Sequence, residues 1–284
     1  MSSLSIPGLT LSNLRGWSCY VPSKEVTNVA DSASGYHASE SDFYSLLTRG
    51  FTIAKKDARI YYFKPQIFGF GILIPIFVYL SFSLGREISP DLLIPGLVGM
   101  VSLFGASSVE AISIPIEKQT ETYELLQTAP ISTGTIVFGK GLAGSSFGIM
   151  LSLVTAIGAI TLSGSRVGNS FLFLVATVVG AFTFSALGMV VASAVKDMPT
   201  ANMSLTALRL PMIFISGVFT PIQALPFPLR VISYLTPLTY LVDALREALI
   251  APGMEFWLDL VAMVVWFAAL QALAVAVLNK KTRL

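Results

Sequence analysis

The sequence predicts an all-α integral membrane protein: six transmembrane helices, an N-terminal amphipathic interface helix, and short extracellular re-entrant gate helices. Three observations lead there. Of its 284 residues, 54% are hydrophobic and only 12% are charged, against about 25% charged in soluble domains; the mean hydropathy is +0.75. From residue 66 onward, apolar runs recur near the roughly 20 residues needed to cross a bilayer. Lysine and arginine gather in alternate loops, the asymmetry that orients a membrane protein.

Residues 1–42 are polar and Ser-rich, with no apolar core after a basic start. That excludes a cleaved secretory signal and leaves a disordered cytoplasmic tail, or a translation start assigned too early. Cys19 and His37 are the single residues of their kinds, so a disulfide framework is excluded and nothing favours a Cys/His metal site.

Residues 43–64 form the interface helix. Phe43, Leu46, Leu47, Phe51, Ile53, Ala54, Ala58 and Tyr61 make an apolar arc, and Arg49, Lys55, Lys56 and Arg59 fill the opposite side. A basic amphipathic helix beside a span lies in the headgroup plane of an anionic leaflet; the alternative is a cytoplasmic helix packed on a partner. Lys64-Pro65 breaks it.

Residues 65–284 carry six apolar runs, at 66–84, 92–116, 136–163, 169–195, 199–220 and 256–278. Lys55, Lys56, Arg59 and Lys64 precede the first. Lys118 and Lys140 flank the next loop on that side, Lys196 lies in a third, and Lys280, Lys281 and Arg283 close the chain. The opposite loops hold only Arg86, Arg166, Arg230 and Arg246. Both termini are therefore expected in the cytoplasm.

Two connecting segments are more than loops. In 117–135, Glu117, Glu121 and Glu124 follow i, i+4, i+7 spacing on one helix face, with Tyr123 on the other side and Pro130 as the stop. Such a loop can fold flat and show an acidic ridge to a soluble partner; the alternative is a solvated loop. In 220–255, Thr236 is an N-cap with Pro237 at the first helical position. Leu238, Leu241, Val242, Leu245 and Leu249 form a stripe, while Asp243, Arg246 and Glu247 face away; a shorter helix is expected at 228–234. Irregular backbone in a membrane needs protein or water beside it, so this segment reads as a lid over a pathway. The alternative is a hairpin resting on lipid.

Glu110 and Arg209 fall inside spans. Charges at that depth face a bundle interior, a partner or water, so the two are candidates for an ion pair or for contact with an anionic substrate; the alternative is snorkelling. Residues 134–141 nearly spell a phosphate-binding loop, but Gly141 stands where a hydroxyl should hold magnesium and no strand precedes it. Lys140 reads instead as an anchor at the inner end of the third span. Small residues recur in the third and fourth runs (Gly139, Gly144, Gly148; Gly180, Ser185, Gly188) and suit close helix packing. No acid pair, Ser/His set or ligand cluster supports an enzyme, and any ATP use must come from another polypeptide.

Glu117-Lys118, the run Thr122 to Ser132 and Phe138-Gly139-Lys140 together resemble the first cytoplasmic loop of ABC-2 type transporter permeases. Leu210 to Ile222, Leu225-Pro226 and Tyr234 to Arg246 resemble the segment before that family's last span. The similarity runs from about Phe43 to the C-terminus. The tail before Phe43 departs from the pattern, as does Glu121-Thr122 where the family shows Gly-Thr. The resemblance implies a six-span half-transporter of the plasma membrane that dimerises and is driven by separate ABC ATP-binding subunits. ATP and magnesium then belong to those subunits, with no cofactor on this chain and no nucleic-acid partner. It implies a coupling element at Glu117, Glu121, Tyr123 and Glu124, and a gate at Pro237, Leu238, Leu241, Leu245 and Arg246. Family members export drugs, lipids, lipid-linked polysaccharides or sodium. The rival is a self-contained secondary transporter or channel; such proteins often show internal repeats, and none is evident between 66–163 and 169–278. A scaffold without transport would leave the lid segment unexplained.

Overall fold

In the first helix, α1 (Ser41–Tyr61), Gly50, Ile53, Ala54, Asp57 and Tyr61 are buried, at the spacing of one helix face. That face meets protein: a methyl group on Gly139 would lie 2.9 Å from the Gly50 carbonyl oxygen. Phe51 and Ile60 remain exposed beside Lys55 and Arg59. The expected apolar arc is therefore divided between the protein and the surroundings.

The computed structural model describes residues 41–62, 89–120, 133–164 and 167–282, with isolated positions at 65, 69, 73, 76, 77, 80, 81 and 122. The tail, most of the first apolar run, and Glu121, Tyr123 and Glu124 lie outside the described residues. Ser45–Leu284 form one unit; of the other, Met1–Tyr44, only the first residues of α1 are described.

Among the described residues, seven further helices follow: α2 (Pro90–Gln119), α3 (Thr133–Ser163), α4 (Ser170–Ala194), α5 (Met198–Ile215), α6 (Phe227–Ser233), α7 (Pro237–Ile250) and α8 (Met254–Thr282), with a 3₁₀ turn at Ile222–Ala224. Among the described residues there is no strand. Four helices among the described residues are long and apolar enough to cross a membrane: Asp91–Gln119, Thr133–Ser163, Ser170–Ala194 and Met254–Asn279. The chain is a multi-pass membrane protein. These four match the second, third, fourth and sixth expected runs.

The fifth run ends early. α5 has 18 residues, about 27 Å at 1.5 Å per residue, and the chain turns at Gly217 with φ +78°. A left-handed backbone suits glycine and not a continuing helix, although the apolar sequence runs on through Val218 and Phe219. Asn169 and Asp197 cap α4 and α5, accepting the Leu172 and Thr200 amides at 3.1 and 2.9 Å. The Thr200 amide holds the exposed Asp197 carboxyl below its usual range.

α2 is the hub: 83% of its most apolar stretch is buried, against 17% for α8. It packs chiefly on α3 and α4. Contact with α4 is close enough that a Cβ at Gly188 would sit 2.6 Å from the Ser107 carbonyl oxygen. α7 joins the same core. Leu238, Leu241 and Leu245 are fully buried among residues of α2, α4 and α8, so the stripe expected to seal a lid packs on the chain's own spans. Thr236 sits at the N-cap position of α7, but its side chain caps nothing there. Its hydroxyl lies 2.8 Å from the Ser233 carbonyl and 2.9 Å from the Ser216 and Thr239 hydroxyls, tying the end of α5 to the start of α7.

Candidate functional site

Where α1, the end of α2 and the start of α3 meet, four charges form a neutral quartet. Lys140 Nζ lies 3.1 Å from Asp57 Oδ2 and 2.6 Å from Glu117 Oε2; Lys56 Nζ lies 3.0 Å from Asp57 Oδ1 and 2.6 Å from Glu117 Oε1. Asp57, Glu117 and Lys140 are buried, while Lys56 keeps 38% of its side chain exposed. Burying a charge is costly, and here each buried charge is offset by an opposite one. Tyr61 closes one side; burial, then the Glu117 charge, pushes its phenol up to about 12. Tyr62 lies 2.6 Å from both the Ala143 carbonyl oxygen and the Ser146 hydroxyl.

Two expectations are corrected here. Glu117 is not part of a solvent-facing acidic ridge, because both its oxygens are engaged inside the protein. Lys140 is not a membrane anchor, because it is the buried centre of the quartet. Sequence reasoning missed Asp57 and the inward role of Lys56 altogether. The available signal was Asp57 itself, an acid set among Lys55, Lys56 and Arg59 in the second half of α1.

The next residue after Glu117 points elsewhere. Lys118 Nζ donates to the carbonyls of Ala192, Ser193 and Val195 at 3.1, 2.8 and 3.3 Å. These are the carbonyls at the C-terminal end of α4, which lack helical partners and carry the negative end of its dipole. Glu117 and Lys118 thus fix the start of the 117–135 loop to α1 and α3 on one side and to α4 on the other. Glu121, Tyr123 and Glu124 lie outside the described residues.

Glu110 and Arg209 are both fully buried, and they do not pair. Arg209 reaches Ser107 Oγ through Nε and Nη2 at 3.1 and 2.7 Å, with its guanidinium 4.9 Å from the centre of the Phe104 ring; the Ser107 hydroxyl donates its own hydrogen bond to the Leu103 carbonyl. Glu110 Oε1 accepts from Ser185 at 3.4 Å, beside Gly144, where a Cβ would meet that same carboxyl oxygen at 2.7 Å. Arg209 Nη1 and Glu110 Oε2 have no hydrogen-bond partner. Glu110 projects from α2 toward α3 and α4, whereas Arg209 reaches α2 from α5 at Ser107, so the two charges meet different partners and form no salt bridge.

In the gate segment, Pro237 is buried with the leucine stripe. Arg246 holds Asp243 at 2.6 Å and donates to the Gly217 carbonyl at 3.1 Å, so it ties α7 to the turn after α5. Burial pushes the Asp243 carboxyl up to about 6, against the pull of Arg246. Among the described residues no three His, Cys, Asp or Glu side chains group as a metal site.

The family profile described as ABC-2 type transporter matches residues 41–250, which takes in the quartet, α5 and the whole of α7. The chain is 29% identical over 201 residues to ABC transporter G family member 20 of Dictyostelium discoideum, covering 68% of this chain and 27% of that protein. It is 22% identical over 155 residues to the probable multidrug ABC transporter permease YbhR of Escherichia coli, covering 54% of this chain and 42% of YbhR. With the permease YbhS of the same organism it shares 23% identity over 200 residues, 69% of this chain and 53% of YbhS. The chain therefore matches between about a quarter and a half of the length of these relatives. Because the profile spans most of the sequence, the chain belongs to the ABC-2 type transporter family.

Proposed function

We propose that this chain is the permease subunit of an ATP-driven exporter. Two copies form the pathway in the plasma membrane, with both termini cytoplasmic, and separate ABC ATP-binding subunits, holding ATP and magnesium, drive it through the 117–135 loop. The first apolar run and α5 complete a set of six spans, and the segment 220–255 is the outer gate. The observation that carries this is the root of the loop. Consecutive residues Glu117 and Lys118 engage α1, α3 and α4, so a push on the loop is delivered to three helices at once. The names of the relatives, an ABC transporter and two ABC permeases, support the same function.

The test is affinity purification of the chain in mild detergent, with Glu121→Lys and Glu124→Lys combined as the variant. An ATPase subunit is expected to accompany the wild type. The double variant, whose reversed charges oppose charge-assisted contacts worth about 1.5–3 kcal/mol each, is expected to insert normally and to lose the ATPase or its coupling. Recovery of the chain without any ATPase, or an unchanged complex and unchanged ATP hydrolysis in the double variant, counts against the proposal.

A further inference from the structure

A groove of about 550 Å³ runs between the first half of α2 and the second half of α3, with Ile76 and Leu80 on a third side. Its volume falls in the range of small-ligand sites, about 300–1,000 Å³. Leu93 and Leu97 form one wall, and Leu151, Val154 and Leu162 the other. Among the described residues, the side-chain polar groups in the lining are two hydroxyls turned back on their own helix: Thr155 donates to the Leu151 carbonyl at 2.8 Å and Ser163 to that of Ile160 at 3.3 Å. The walls therefore offer a ligand hydrocarbon and no side-chain hydrogen bond to orient a headgroup.

The position in the membrane decides what fills it. α3 is a membrane-spanning helix, and the groove opens sideways past Val154 and Leu162, which are 65% and 92% exposed. From Leu151 to Ser163 the groove covers about 18 Å of helix at 1.5 Å per residue, close to one leaflet of a hydrocarbon core about 30 Å thick. Gly158 lies within it, and a Cβ there would meet no atom within 4 Å. A bare glycine in a lipid-facing channel gives a chain more contact than the convex surface of a helix. Lipid tails are as apolar as these walls, so retention rests on such packing and not on hydrophobic transfer. We propose that this groove holds a single acyl chain of a bilayer phospholipid, seated over Gly158. The proposal is independent of the coupling mechanism above, since it needs only that α2 and α3 cross the membrane.

The experiment is native mass spectrometry of the purified protein with added palmitoyl-oleoyl phosphatidylcholine, comparing wild type with Gly158→Phe and, as control, Val264→Phe on the exposed side of α8. The wild type and the control are expected to retain one phospholipid per chain; Gly158→Phe, whose ring takes the space of the acyl chain, is expected to lose it without a change in subunit number or melting temperature. Equal retention in Gly158→Phe overturns the proposal. So does a change in subunit number in that variant, which would show that a second copy covers the groove. A second measurement does not depend on that substitution. Leu162→Trp at the rim, with Trp17, Trp257 and Trp266 replaced by Phe, is expected to be quenched to saturation at a low fraction of chain-brominated phosphatidylcholine. Quenching that only rises in proportion to that fraction also overturns the proposal.

Discussion

Removing Lys140 would leave Asp57 and Glu117 facing one another with only the half-open Lys56 between them. Breaking a buried pair by deleting one partner costs about 3–5 kcal/mol, whereas replacing the whole arrangement with neutral groups of similar size is often nearly free. Lys140→Met alone is therefore expected to lower the melting temperature in detergent sharply. Lys140→Met with Asp57→Asn and Glu117→Gln is expected to recover much of that loss. A triple variant as unstable as the sum of its parts would show that the quartet is not a coupled unit. Little of this was legible in the sequence. Glu117 and Lys140 stand 23 positions apart and Asp57 lies far upstream; helical spacing tells which residues share a face, but not which face another helix will meet. Glu110 and Arg209 were legible as buried charges because an apolar run cannot hide an ionisable side chain. Their partners, Ser185 and Ser107, were not, since serine is too common in these spans to mark itself.

At the scale of elements, hydropathy located α2, α3, α4 and α8 well because each is a long apolar run bounded by polar residues. It overran α5, where Gly217 turns the chain inside an apolar stretch. The stripe of α7 was equally plain, but an apolar stripe suits a symmetry mate, lipid or the chain's own spans. Shape decides among these, and the deciding feature is Gly180 on α4: a Cβ there would lie 2.7 Å from Leu241 Cδ2 and 2.8 Å from Cδ1. Gly180→Ala is thus expected to overpack the contact at about 1–3 kcal/mol, and Leu241→Ala to leave a cavity at about 2–5 kcal/mol. Together they should cost clearly less than the sum, because the new methyl occupies space vacated by the leucine. Thermal unfolding of the two single variants and the double variant reads this directly. Strict additivity would mean that α7 does not seat on α4 through this pair.

For the molecule as a whole, the proposed function makes the loop root the route by which an ATP-binding subunit would act on the pathway. Glu117 leads through the quartet to α1 and α3, and Lys118 leads to the end of α4, from which α5 with the buried Arg209 follows after a short connection. The lysine is the more informative of the two to change, because its three acceptors are backbone carbonyls, which no compensating side chain can replace. Charge-assisted hydrogen bonds contribute about 1.5–3 kcal/mol each, and about 1.4 kcal/mol is a tenfold change in an equilibrium. On the proposed function, Lys118→Met is therefore expected to keep the ATP-binding subunit bound, since Glu121 and Glu124 are unchanged, but to weaken by at least about tenfold the change in ATP hydrolysis that the permease imposes on it. Lys118→Arg keeps donors and charge and is expected to restore most of that change. The complex itself is the control for stability and docking. A Lys118→Met complex that assembles, melts as the wild type and regulates ATP hydrolysis fully would show that α4 takes no part in carrying the signal from the loop.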